Sequence, residues 1–170
     1  MTIQIGQHLP DSEIAVVETG VDVQRLSTGS LFAGRNAVLF AVPGAFTPTC
    51  SERHLPGYVK HFDDFKALGI DVYCLAVNDA YVMKAWAAAQ HVPPGLKLLA
   101  DGNGAFTQAL GLEMDGTAYG MGMRSRRFAL YAEDAVVKQL YIESPGELRV
   151  TTADAMLAVI QTLALQNHET

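Results

Sequence analysis

The sequence of 170 residues predicts an α/β fold in which a mixed central sheet is flanked by helices. Three observations carry that prediction. Short apolar runs alternate with stretches of helical periodicity from Ala37 to Leu110. Two further runs flank Glu133-Asp134-Ala135 as a hairpin, and an amphipathic stretch closes the chain. Alternating strands and helices pack as layers, and a late hairpin adds antiparallel strands to such a sheet.

Taken in order, Thr2 to Gly20 places Ile3, Ile5, Ile14 and Val16 around Leu9-Pro10-Asp11 and reads as a short strand or hairpin. Ser27 to Ser30 is a loop, and Leu31 to Gly34 follows as one helical turn. Ala37 to Val42 is a short apolar run bounded by Asn36 and Pro43-Gly44, the pattern of a buried strand. Thr47-Pro48-Thr49 then carries a helix-start signal that puts Cys50 in the first turn or just before it. Leu55, Tyr58, Val59, Phe62, Phe65 and Leu68 fall near helical spacing, and Gly69 ends the helix. Pro56 inside that pattern predicts a kink or an irregular start, which weakens the segment holding Cys50.

Ile70 to Val77 is a second buried strand, and Asn78-Asp79 caps a helix from Ala80 to Gln90 that Pro93-Pro94-Gly95 terminates. Lys97 to Ala100 is a third strand, Asp101 to Gly104 a turn, and Ala105 to Leu110 a short helix. Gly111 to Met123 is glycine-rich and reads as loop. Phe128 to Ala132 and Val136 to Ile142 are the hairpin strands, and Thr152 to Leu165 is the terminal helix.

Length favours one domain over residues 1–170, with no repeat or linker dividing it. A net charge of −6 argues against nucleic acid as a partner, since that binding needs clustered Lys and Arg. The one basic cluster, Arg124, Arg126 and Arg127, is too small to reverse this. No apolar run approaches the roughly 20 residues of a membrane span, and the N-terminus lacks the pattern of a secretory leader. The expected compartment is the cytoplasm, where two cysteines are catalytic or buried rather than bridged. Phosphate-loop, dinucleotide and HExxH patterns are absent from the sequence, and Trp86 with its alanine neighbours reads as a packed helix.

Cys50 is the candidate nucleophile. A helix N-terminus presents unpaired N–H groups and about half a positive charge, which favours thiolate over thiol; the alternative is an inert buried cysteine. Thr47, three residues upstream, offers a hydroxyl near the sulfur or an ordinary N-cap. Pro43 has no N–H and so can shield the sulfur without competing for hydrogen bonds, or it simply ends the strand. Arginine stabilises a thiolate and a developing alkoxide with several donors in a fixed geometry, although basic triplets also occur as solvated surface.

His54 stands four residues after Cys50. That spacing fits a cysteine hydrolase, half of a zinc site, or packing and hydrogen bonding beside the cysteine. Further zinc ligands are not paired in the sequence, so packing or hydrogen bonding is the expected role. Cys74 lies among apolar neighbours and reads as a core cysteine. Cys50 is followed by Ser51-Glu52-Arg53, so the Cys-x-x-Cys pair of a disulfide reductase is missing.

Residues 43–51, Pro43-Gly44-Ala45-Phe46-Thr47-Pro48-Thr49-Cys50-Ser51, and His54-Leu55-Pro56-Gly57-Tyr58 resemble the type II (peroxiredoxin-5) branch of the peroxiredoxins. The pattern Pro-x-x-x-Thr-x-x-Cys is met by Pro43, Thr47 and Cys50. The resemblance continues through Val77-Asn78-Asp79, Leu99-Ala100-Asp101 and Arg124-Ser125-Arg126-Arg127-Phe128, covering most of the chain in order.

It implies a thioredoxin-like fold with peroxiredoxin additions, and an antioxidant peroxidase without metal or organic cofactor. Cys50 would attack a hydroperoxide and become a sulfenic acid, with Pro43 and Thr47 framing the peroxide. Arg127, immediately before the aromatic residue that opens a strand, would be the active-site arginine, with Arg124 as a further donor. A homodimer built through Phe46 and Gly120-Met121 is also implied. Two-cysteine members of the branch carry a resolving cysteine in the loop before the last helix. Here that loop reads Glu147-Leu148-Arg149-Val150-Thr151-Thr152, so glutathione, glutaredoxin or thioredoxin would reduce Cys50 from outside. Cys74 remains open as a resolving group, since plant-type members carry cysteines near this place.

Overall fold

The apolar run at the centre of the chain is continuous because both of its faces are covered. In the computed structural model, which describes the backbone of residues 1–168 and side chains to residue 166, Asn36–Ala41 forms a strand, β3. Val38, Phe40 and Val42 enter one hydrophobic cluster, while Ala37, Leu39 and Ala41 enter another. Alternate side chains of a strand point to opposite faces, so a strand roofed on both sides has no place for a polar residue.

Seven strands share the main sheet, in the order β2-β1-β5-β4-β3-β8-β9. They are β1 (Glu13–Glu18), β2 (Val21–Ser27), β3, β4 (Ile70–Ala76), β5 (Lys97–Ala100), β8 (Phe128–Glu133) and β9 (Val136–Ile142). β3, β4 and β5 run parallel, whereas β1 and β8 flank them antiparallel. This is the mixed sheet the sequence predicts. One face is covered by α2 (Leu55–Lys60), α3 (Phe62–Ala67), α4 (Ala80–Ala89) and α6 (Ala153–His168). The other is covered by α1 (Thr28–Phe32), α5 (Ala105–Leu110) and the N-terminal segment.

Caps explain several boundaries. The Asp79 carboxylate accepts from Val82 N at 2.9 Å and starts α4. Asp101 accepts from Thr107 N at 2.8 Å and Thr107 Oγ1 at 2.7 Å, holding α5 against the end of β5.

The N-terminal expectation holds in its second half only. Residues 2–12 form a strap rather than a strand: Ile3 N bonds Leu110 O at 2.8 Å and Leu9 N bonds Ala135 O at 2.7 Å. Ile14 and Val16 lie in β1, the first strand of a hairpin whose second strand, β2, was hidden because its side chains are mostly exposed. The tract from Gly111 to Met123, read as loop, holds most of a two-stranded ribbon of β6 (Glu113–Asp115) and β7 (Met123–Ser125) with a 3₁₀ turn at Thr117–Tyr119. Gly116 N bonds Gly122 O at 2.7 Å, and a Cβ on Gly116 would lie 2.9 Å from that same oxygen. Only glycine permits so close a closure.

Cys74 sits in β4 between Phe40 of β3 and Leu98 of β5 and has no exposed surface. Burial pushes its thiol well up, the nearby Cys50 adds to this, and Arg127 opposes it. A protonated thiol inside a central strand is a packing group. Cys74→Ser should therefore lower the unfolding free energy in urea by about 1–3 kcal/mol, the cost of an unpaired buried hydroxyl. The reactivity of Cys50 should stay within about twofold of wild type, because a neutral hydroxyl replaces a neutral thiol and adds no charge beside it.

Candidate active site

The site lies where β3 ends. Ala41 pairs with Phe128, the first residue of β8, so Arg127 is delivered to the loop that follows β3. In the parallel direction, Ala41 pairs with Leu75, and the chain just beyond β4 supplies Asn78, whose Oδ1 accepts from Ala45 N at 2.9 Å. Pro43 is half-buried in the turn after Val42, and Phe46 takes a left-handed φ of 63° with its ring exposed. Gly44 is closely approached: a Cβ there would stand 3.1 Å from Arg124 Nη1.

Cys50 opens a π-helical turn, Cys50–His54, in which Leu55 N bonds Cys50 O. Pro56 accounts for it. In an α-helix its ring would press on the carbonyl of Glu52 and its missing N–H would leave an acceptor idle. The wider turn relieves the ring's clash, and π-turns concentrate at functional positions. The irregularity predicted from Pro56 thus falls on the residues that present the thiol.

Cys50 is fully buried, and Arg127 Nη2 donates to its Sγ at 3.2 Å. The other terminal nitrogen, Nη1, donates to His54 Nδ1 at 2.7 Å. A guanidinium has no lone pair to offer, so Nδ1 must be the acceptor and the ring proton sits on Nε2. That Nε2–H donates to Thr151 O at 3.0 Å, and Tyr58 Oη donates to the same oxygen at 2.8 Å. The His54 ring also packs on Phe40, 5.0 Å between centroids, while Phe40 stacks on Tyr58 at 3.8 Å.

Burial first, and Arg127 second, push the His54 pKa down to about 3. The imidazole is neutral across the physiological range. This disposes of the two rival readings on positive grounds: Nδ1 faces Arg127 rather than the thiol, and both ring nitrogens are committed, leaving neither a general base nor a zinc ligand.

Thr47 Oγ1 donates to Gly44 O at 2.7 Å. Its proton is spent there, so its lone pairs remain to accept a hydrogen bond. Arg124 does not reach the sulfur. Its Nε donates to Met121 O at 2.9 Å, and its guanidinium backs Gly44, so it braces the loop behind the site. Arg126 is exposed.

The structure therefore brings Cys50, Arg127 and His54 together, sets Pro43 and Thr47 in the loop leading to them, and leaves Arg126 outside. Sequence reasoning missed Thr151 and Glu143. Glu143 Oε2 accepts from Thr151 Oγ1 at 2.7 Å and from the amide of Thr151 at 2.9 Å. Burial works against its charge, but the Thr151 hydroxyl and neighbouring amides outweigh it and hold the carboxyl below its ordinary value. A glutamate after a strand and a threonine before a helix carry no signal of such a contact. Trp86 is packed, as expected, and its Nε1 donates to Ser51 Oγ at 2.9 Å.

A single half-buried cation aimed at a buried cysteine, on the end of a thioredoxin-like sheet, defines a thiol-based redox protein. The redoxin family model matches residues 4–157, and the chain belongs to that family, within it to the peroxiredoxins, the thiol-dependent peroxidases. Peroxiredoxin-2B of Arabidopsis thaliana is 43% identical, over 93% of this chain and 98% of that protein. The chloroplastic peroxiredoxin-2E of the same plant is 44% identical, over 94% of this chain and 70% of the relative. Reduced Prx3 of Vibrio vulnificus, solved in complex with H2O2, superposes with a TM-score of 0.87 at 45% identity, covering 94% of this chain and 97% of that one. Peroxiredoxin-2 relatives fit the type II branch that the sequence resembles.

Two outcomes are expected. His54 ionises at about 3 in the folded chain but near 6.5 when unfolded. Between those values the unfolded state binds the extra proton. Stability is complete above the unfolded value and falls with acidification, by up to about 1.4 kcal/mol per pH unit. Urea unfolding from pH 6.5 to 4 should show this slope, and His54→Phe should flatten it. Arg127→Ala should slow Cys50 oxidation by hydrogen peroxide about 10²–10³-fold in stopped-flow measurements, as for loss of one preorganised donor.

Proposed function

We propose that this chain reduces hydrogen peroxide and small alkyl hydroperoxides at Cys50 and is returned to the thiol by an external reductant. The observation that carries the reading is the Arg127 guanidinium held between His54 Nδ1 and Cys50 Sγ. It places fixed positive charge beside the sulfur and beside the oxygen that must leave.

Peroxide enters between Thr47, which accepts its O–H, and Arg127, which donates to it, with Pro43 keeping water from the sulfur. A lone pair of the Cys50 thiolate forms the S–O bond while the O–O bond breaks. The electron pair leaves on the distal oxygen, which departs as hydroxide or alkoxide and takes up a proton to become water or alcohol. The sulfur is oxidised to a sulfenic acid and the peroxide is reduced. Donors already in place cost no reorganisation as this charge develops.

An external thiolate then attacks the sulfenic sulfur, forming a mixed disulfide with loss of water, and a second thiol releases Cys50. Fully buried, Cys50 cannot meet a thiol carried by a peptide or protein unless its turn opens. The π-turn, with Pro56 next to it, is the weak point where this happens. Glutathione, glutaredoxin and thioredoxin are the reductant classes that fit, since residues 147–152 hold no cysteine. Two free thiols suit a reducing compartment such as the cytoplasm. Exposed Phe46, Tyr119 and Met123 support a homodimer formed around the active-site loops.

Intact mass after one equivalent of hydrogen peroxide, with a sulfenic-acid trap present, tests this reading. An adduct on Cys50, lost in Cys50→Ser along with all peroxidase turnover, is the expected result. A disulfide mass would assign resolution to Cys74 or a second copy. An unmodified chain would overturn the function.

A further inference from the structure

Glu143 is linked to Arg127 twice, directly at the backbone and indirectly at the guanidinium. Following β9, it donates its backbone N–H to Arg127 O at 2.9 Å. Its side chain reaches the other way. Oε2 accepts from the amides of Arg149, Val150 and Thr151 at 2.8, 2.9 and 2.9 Å, and from Thr151 Oγ1 at 2.7 Å. Three consecutive amides converging on one oxygen make an anion-binding nest, here filled by an internal carboxylate.

The nest sets the direction of the Thr151 carbonyl. That carbonyl orients His54 through Nε2–H, and His54 Nδ1 in turn holds Arg127 Nη1. We propose that Glu143 is the positioning residue of Arg127, fixing its backbone directly and its guanidinium through Thr151 and His54. The proposal rests on the peroxidase reading above.

Capping of the last helix does not explain the arrangement. Thr152 already serves α6, its Oγ1 accepting from Ala155 N at 3.1 Å and its carbonyl from Met156 N at 3.0 Å. Among the described residues Glu143 forms no salt bridge, and it is 8% exposed. A buried carboxylate bonded to three backbone amides and one hydroxyl fixes the backbone around it.

The test compares two reactions of Cys50 in the full chain. Oxidation by hydrogen peroxide needs the guanidinium aimed at both sulfur and leaving oxygen, whereas alkylation by iodoacetamide needs only the thiolate. Glu143→Ala should slow the peroxide reaction about 10²-fold, the scale of an ångström-sized misplacement, and slow alkylation far less. Glu143→Gln, which keeps an acceptor oxygen, should fall between Glu143→Ala and wild type. In an Arg127→Ala background, Glu143→Ala should add less than about threefold, because the two act as one unit. If Glu143→Ala does not fold, Glu143→Gln is read by the same criteria. Wild-type peroxide rates in the Glu143 variants, parallel loss of both reactions, or full additivity with Arg127→Ala would each overturn the proposal. A wild-type chain inert to peroxide would instead remove the peroxidase reading.

Discussion

Beside the parallel block of β5, β4 and β3, strand β8 enters antiparallel, with Ala41 opposite Phe128. A parallel neighbour would have begun at the far edge of the sheet and carried its preceding residue away from the loop after β3. The antiparallel one starts where β3 stops, so Arg127 and Cys50 meet although 77 positions separate them. The hairpin from β8 to β9 returns Ile142 to the same edge, opposite Phe128, and hands over Glu143. A slip of one residue in this pairing would turn Phe128 from the core and the arginine from the thiol together. Core packing and chemistry are thus enforced by one register.

Around that register the arginine side of the site is highly bonded, and one π-turn ties it to the cysteine, with Cys50 at its start and His54 at its end. Arg127, His54, Tyr58, Thr151 and Glu143 form a continuous set of hydrogen bonds, packed by Phe40. Cys50 opens a turn with long-period bonding that leads into Pro56, and the loop before it holds Phe46 in a left-handed conformation. The thiol and the imidazole that orients its arginine are thus set by one turn of chain.

Much of this was legible in the residues. The buried strands announced themselves through apolar runs too continuous for a one-sided sheet, and helix starts through Asp79 and the prolines. Pro43, Thr47 and Cys50 shared one recognisable word, and the family resemblance, rather than the basic triplet itself, singled out Arg127. The exposed strand β2 and the glycine-held ribbon of β6 and β7 were not legible, because neither has an apolar period to read. Glu143 and Thr151 escaped for another reason. Their role consists of contacts between segments that only the closed sheet brings together, and each alone looks like ordinary surface chemistry.

The π-turn also bears on how this chain can vary over evolutionary time. It is in effect one residue more than an α-helix would use between Cys50 and Leu55. Removing a residue from Ser51 to His54 would restore regular winding, and each residue of an α-helix turns through about 100°. The tighter winding offsets the lost residue, so the thiol would keep nearly the same direction relative to Leu55 and Tyr58, which are locked into the core. The extra residue therefore widens the turn without re-aiming the sulfur. Substitutions within the turn are open to drift wherever side chains face solvent, as at Glu52 and Arg53, whereas Cys50 and His54 at its two ends are both held by Arg127.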